Sequence, residues 1–470
     1  MATDGLSVER LREYLGDLKP EARTLLIAEL ERGLLRGDDI PGTDLILQEL
    51  RRTIRELAHP PPRIGNPARL FFKPIEPFLV DDELNHKHPG RISRAALEPI
   101  WAWTCRDLLP AEAKAFSGEV SQALLTNDTD YTEWLTRAFQ DQAVQRLQET
   151  FAAIQGHEMA GRRLASQIGI PGALKITNEV LAVLKSRDAL AAWGARLPGR
   201  IDNLTNERLE KVKILLDELS GKEPDIFLRG LVLVMGRLAA PWQLIRLATK
   251  AAESDHAARI AASPYAAAVT IVLAEVERLV GELRADLKSG RGVAVIALLK
   301  AIHDATRGLR AEIDLPVETP WGRQLVGIRT GISSLLKSEI ESAPGRVRRL
   351  LGTRPAHEIS SDCVLDAGDV AETENLVGFI YACRKYASEL AVNEITQYTY
   401  SELQHYLETG TPALLEGLRN AGEADRRFRQ SQVDAAVRFC GRLFGQEYAA
   451  LLAKAADLAV NSERKAAAKA

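Results

Sequence analysis

At 470 residues the chain is long enough for two or three domains, and 46% hydrophobic with 27% charged side chains gives it packed cores under a charged surface, which excludes global disorder. Its 61 basic and 64 acidic residues leave a formal net charge of −3, so no overall field draws it to nucleic acid or to an anionic membrane, and any such binding has to be local. The opening residues carry Asp4, Glu9, Arg10 and Arg12 without an apolar run, and the stretch Ile260 to Ala274 is broken by Ser263-Pro264, so neither a secretory signal nor membrane insertion is expected.

The first 58 residues read as three short helices. Ser7 is placed to cap the first, Pro20 suits the first turn of the second, and Pro41-Gly42-Thr43 separates it from a third, where Leu47, Leu50, Ile54 and Leu57 form one apolar stripe. Residues 59–89 hold seven prolines, a density that removes backbone donors and predicts an extended connector rather than helix. That connector is too apolar to be a plain linker, because Leu70, Phe71, Phe72, Ile75, Phe78, Leu79 and Val80 fall within it. With Pro74 and Pro77 in P-x-x-P spacing, the strip either lies across the protein's own helices, which is the favoured reading, or presents Phe71, Phe72, Pro74, Pro77 and Phe78 to a partner groove.

From Ser93 to Leu350 helix follows helix, with breaks expected at Pro110, Asn127-Asp128, Gly156, Pro171, Pro198, Pro224, Pro241, Pro264 and Pro316. Ser263-Pro264 and Thr319-Pro320 each offer a hydroxyl cap followed by proline at the first helical position. Between them Val272, Val276, Leu279, Leu283 and Leu287 mark a long helix. Trp101, Trp103 and Trp134 are read as core or junction anchors. No residue pattern recurs at a fixed repeat period.

Further on, Leu376, Ile380, Cys383, Ala387 and Leu390 line one long helix, and Val433, Val437, Cys440, Phe444, Tyr448 and Leu451 line a last one. Thr411-Pro412 is expected to cap a short helix between them. The fold class is therefore all-α: a multi-helix layered bundle, or an irregular α-solenoid, ending in a long helical hairpin. Five stretches follow, namely a three-helix segment (1–58), the Pro-rich connector (59–92), a central helical array (93–352), a C-terminal bundle (353–462) and a frayed tail (463–470).

Chemistry is harder to find. Asp81, Asp82, Glu83, His86 and His88 are types that ligate zinc, but no matching pair completes a site, and no metal or cofactor is expected. His157-Glu158 lacks the second histidine of a zinc-protease helix, because position 161 is Gly. Asp362, Asp366, Gly368 and Asp369 do not have calcium-loop spacing, and Asp366 or Asp369 is better read as the cap of the following helix. Gly221-Lys222 is followed by Glu223 and is not a phosphate loop.

Arg346, Arg348, Arg349 and Arg354 are the candidate phosphate-binding residues, and Arg426, Arg427 and Arg429 form a second basic group. Neither is interleaved with aromatics, so nucleic acid is not the expected partner. The four cysteines, Cys105, Cys363, Cys383 and Cys440, lie far apart and read as reduced thiols. With 44 Arg against 17 Lys, the composition fits a GC-rich bacterial genome and a cytoplasmic protein.

The reading that results is a non-enzymatic interaction or scaffold protein with a protein partner, including a homodimer through the C-terminal helices. The alternative is an all-α enzyme or small-ligand binder, whose mark would be convergence of His157, His256, His303, Glu275 and Glu277 between central helices. A third reading is local nucleic-acid binding through the arginine cluster.

Overall fold

The computed structural model describes residues 14–15, 18–36, 42–43, 46–47, 50, 65–81, 88–220, 224–289, 292–355, 359–360 and 363–467. The fold is an all-α multi-helix bundle, and the chain divides into two compact units, 1–197 with 223–233 and 198–222 with 234–470. That boundary falls inside the stretch 93–352 expected as a single array. Among the described residues no helix is long and apolar enough to cross a membrane.

The first unit begins with α1 (Pro20–Arg36), which starts at the expected proline. Leu47 and Leu50 of the expected stripe are buried with Leu15, Ile27 and Leu30, whereas Ser7, Ile54 and Leu57 lie outside the described residues. The Pro-rich strip corrects the expectation of an extended connector. Residues Pro67–Phe71 form a short helix, α2, and Lys73–Phe78 a 3-10 helix. The physical reason is positional: Asn66 caps α2 by accepting from the Arg69 N–H at 2.7 Å, and Pro67 and Pro74 occupy first-turn positions, where a missing N–H costs nothing. Leu79–Val80 (β1) then pairs in parallel with Ile92–Ser93 (β2).

Next come α3 (Leu97–Trp103), which continues as a π-helical turn over Thr104–Leu108, then α4 (Pro110–Leu125), α5 (Thr129–Ile154), α6 (Glu158–Ile168) and α7 (Ala173–Gly194). The breaks between them sit where expected, with Asn127, Gly156, Gly169 and Gly172 at positive φ.

In the second unit α8 (Asn206–Ser220) precedes α9 (Pro224–Arg237), whose residues to Leu233 belong to the first unit and the remainder to the second. The chain continues through α10 (Ile245–Ala252), α11 (Ala257–Ala261), α12 (Ala266–Ser289), α13 (Gly292–Glu312), α14 (Pro320–Leu351), α15 (Ala367–Leu390), α16 (Asn393–Arg419), α17 (Arg426–Leu443) and α18 (Gln446–Ala467). Each long helix packs on more than one neighbour: α13 on α12 and α15, α14 on α16 and α15, and α17 on α15, α16 and α18. This is a multi-helix bundle, in which the last two helices, α17 and α18, also pack on each other.

The stripe of α12 is inside at Val272, Val276 and Leu283, and that of α15 at Leu376, Ile380, Cys383 and Leu390. Thr319 caps α14 by accepting from the Gly322 N–H at 3.0 Å, and Asp366 caps α15 by accepting from Asp369 N–H at 2.8 Å. Gln432, fully buried, donates to the carbonyls of Leu350 and Gly352 at 3.1 and 2.9 Å and so satisfies the end of α14.

Three expectations are corrected here. Ser263 does not cap α12, because its hydroxyl donates back to Ile260 and the helix begins only at Ala266. Thr411-Pro412 starts no helix, since α16 runs through Pro412. The expected last helix is two helices, parted at Gly445 with φ +98°.

Candidate functional site

The strip at 70–80 is the first place to look, and its rings are not available to a partner. Phe71, Phe72 and Phe78 are buried, while Pro74 is half-buried and Pro77 exposed. Phe71 meets Phe72, Trp101 and Phe139 at centroid distances of 4.8, 5.5 and 5.4 Å, and Phe139 stacks on Phe116 at 4.5 Å. Gln140, buried on α5, donates to the Phe71 carbonyl at 2.9 Å. Arg229, buried on α9, lies over Phe78 at 5.5 Å and pairs with Glu179 at 2.5 Å. The strip is thus bound into the core of the first unit from both ends, the self-packed arrangement.

The candidate phosphate-binding arginines do not converge. Arg346 pairs with Glu372 at 3.0 Å, Arg348 with Glu402, and Arg349 with Asp369 at 3.4 Å. Arg354 lies over the Phe428 ring at 5.2 Å, and its carbonyl accepts from Arg429 at 2.5 Å. Each guanidinium has a separate neighbour of its own, which fits helix-to-helix ties better than a phosphate clamp.

The histidines and carboxylates named for a pocket are likewise separately engaged. His157 precedes α6 in the first unit and is exposed. In the second unit His256 lies 3.8 Å from Asp314, His303 lies 3.1 Å from Asp304 and its ring 4.7 Å from Tyr386, Glu275 binds Arg278 at 2.9 Å, and Glu277 accepts from Gln324 at 2.9 Å. Asp81 accepts from Arg94 at 2.6 Å, and Asp82, Glu83, His86, His357 and Asp362 lie outside the described residues. Among the described residues no group of three or more His, Cys, Asp or Glu could hold a metal ion.

A concavity does exist elsewhere in the second unit. An open groove of about 540 Å³ is lined by Asn206 and Leu209 of α8, Arg246, Thr249 and Lys250 of α10, and Glu312 of α13, with Glu253 and Asp255 from the following turn. Arg246 is held in place by donating to the Leu204 carbonyl at 2.5 Å and to Asn206 at 3.3 Å, with Glu312 at 3.6 Å. Lys250 pairs with Glu210 at 2.6 Å, and that hydrogen bond and charge raise its pKa. Glu253 closes α10 at φ +48°, a left-handed conformation uncommon for a side-chain-bearing residue. The groove is lined mainly by polar side chains of both charges. None of the five residues named from sequence lines it, because α8, α10 and α13 meet through helices far apart in the chain.

Two apolar surfaces also went unread. On α18, Ala449, Leu452, Ala456 and Ala459 face the bundle, while Leu451 and Leu458 are 66% and 69% exposed and Tyr448 lies outward with them. Tyr448, Leu451, Ala455 and Leu458 are spaced three, four and three, the interval of a coiled-coil seam. Sequence periodicity placed Tyr448 and Leu451 on a stripe that packs within the chain or across a dimer, since two apolar rows lie side by side on this helix and the pattern does not say which one is covered. On α5, Trp134 corrects the expectation of a core anchor: it is 62% exposed and stacks on Tyr131 at 5.8 Å with the ring planes 10° apart. Its exposure follows from helix phase, for Leu135 and Phe139 turn inward from this helix and Trp134 does not. Compared with known proteins, the chain matches no family model, no curated protein and no solved structure.

Proposed function

We propose that this chain is a non-enzymatic interaction protein whose outer helices make protein contacts, the first of them with a second copy of itself through α18. The observation that carries the reading is the seam of exposed Tyr448, Leu451 and Leu458, with half-buried Ala455 among them, which sits beside a row already buried against the bundle. A symmetric pair would place the same seam on both sides, as a two-fold interface requires, and each covered Leu contributes about 1.5 to 3 kcal/mol. Sedimentation of the purified chain tests it. A dimer at micromolar concentration that becomes monomeric in Leu451→Glu/Leu458→Glu, with helicity retained, is the expected result; a wild-type chain monomeric throughout that range removes the self-contact.

The groove at Arg246 supports a second reading, a binder of small polar molecules. Its test is a thermal-shift screen of small charged metabolites on wild type and Arg246→Ala: a ligand that raises the melting temperature only of the wild type supports it. The third reading, nucleic-acid contact through Arg346, Arg348, Arg349 and Arg354, requires affinity that falls steeply with salt and with loss of Arg346 or Arg349. Flat or absent binding removes it.

A further inference from the structure

The geometry points to a second interaction site, on the outer side of α4 and α5, that takes a cationic peptide segment. Tyr131 and Trp134 lie three residues apart on α5 and stack nearly parallel, with Trp134 presenting most of its surface to solvent. An exposed tryptophan of this kind is unusual among the large apolar side chains, which are mostly taken into the cores. The pair is also fixed in place. The Tyr131 hydroxyl donates to Glu119 of α4 at 3.1 Å, and its backbone N–H donates to the Asp128 cap at 3.0 Å. A partner therefore meets a preformed ring surface and does not have to order it.

The charge around the rings selects the partner. Asp128, Asp130 and Glu133 flank them along α5, Glu119 faces them from α4, and all four are exposed. Asp130 stands four residues before Trp134, so it shares the face of the ring. Of the basic groups on the same helices, Lys114 lies five residues before Glu119, and Arg137, three residues after Trp134, has its charge paired with Asp188 at 2.5 Å. A negative rim around π-faces repels phosphate and attracts ammonium and guanidinium, which add a cation–π contact to the ion pair. A nucleic-acid strand, which would use the same rings as a stacking platform, is disfavoured by that rim. The occupant that fits is an Arg- or Lys-bearing peptide segment. This site belongs to the first unit and the seam on α18 to the second, so either can fail while the other holds.

The test uses the full chain and two fluorescent octapeptides, one of arginine and glycine and one of glutamate and glycine, followed by anisotropy at low and physiological salt. The arginine peptide is expected to bind, and Trp134→Ala to weaken it about tenfold, the sum of a lost cation–π contact and a lost ring platform. Trp134→Phe should restore much of that affinity. Because the ring is exposed, the melting temperature should stay at the wild-type value in both variants. Glu119→Gln/Asp130→Asn should weaken binding and flatten its salt dependence. Arginine-peptide affinity unchanged by Trp134→Ala would mean only diffuse attraction to acidic surface and would overturn the assignment. So would Trp134-dependent binding of the glutamate peptide or of a single-stranded oligonucleotide, or no binding of the arginine peptide at all.

Discussion

Replacing Phe72 and Phe78 together by Ala is the sharpest probe of the Pro-rich strip. Phe72 packs edge-on against Phe71 at 4.8 Å and against Trp101 at 6.3 Å, and Phe78 lies under the buried Arg229 at 5.5 Å. Removing one packed Phe costs about 3 to 5 kcal/mol, the transfer term plus the cavity left behind. The two rings contact different neighbours, so their costs should nearly add, to about 6 to 10 kcal/mol. A domain has only about 5 to 15 kcal/mol of stability in total, so the double variant should leave the first unit largely unfolded. Each single variant should remain folded with a lower urea midpoint, and circular dichroism against urea measures all three. Loss of Phe78 should also weaken the hold on Arg229, whose charge is buried and whose Nε has no hydrogen-bond partner. A double variant with the wild-type midpoint would refute the packing argument outright.

Gly308→Ala should destabilise the second unit by about 1 to 2 kcal/mol even though Ala favours helix by about 1, because the new methyl would lie 2.3 Å from the Trp242 ring; thermal melts check it, and adding Trp242→Leu should relieve the cost. Pro412 lies exposed inside α16, so Pro412→Ala should raise stability by as much as about 3 kcal/mol, read from urea unfolding. Cys383 and Cys440 are buried, and burial pushes both thiols up, Cys440 to about 12, so neither should react with iodoacetamide at neutral pH until urea unfolds the chain, as mass spectrometry of labelled peptides would record.

The hydroxyl-proline pair was an uneven signal: α14 begins at Thr319-Pro320, but the same pair at Ser263-Pro264 and Thr411-Pro412 starts no helix. Pro412 was read as punctuation, but packing of α16 against α14, α15, α17 and α18 outweighs the one hydrogen bond a proline removes. The turn after α15 was invisible for the opposite reason: Ala391 adopts φ +56° with no glycine or proline to announce it. The Pro-rich strip failed on position, since Pro67 and Pro74 occupy helix starts and not helix interiors.

The site candidates turn on contacts that a sequence does not record, and this sets the limit on sequence reading here. A stripe of apolar residues on a helix records that a face is apolar; whether another helix covers it depends on neighbours that approach from far along the chain. On α15 the stripe at Ile380 and Cys383 is covered, and on α18 the row at Leu451 and Leu458 is not, although the two patterns have the same spacing. Charge behaves in the same way. Arg346, Arg348 and Arg349 form a basic run in sequence but pair with Glu372, Glu402 and Asp369 in space. Trp134 on α5, and Leu451 and Leu458 on α18, are large apolar side chains that no neighbouring helix covers, and their local pattern does not distinguish them from core residues.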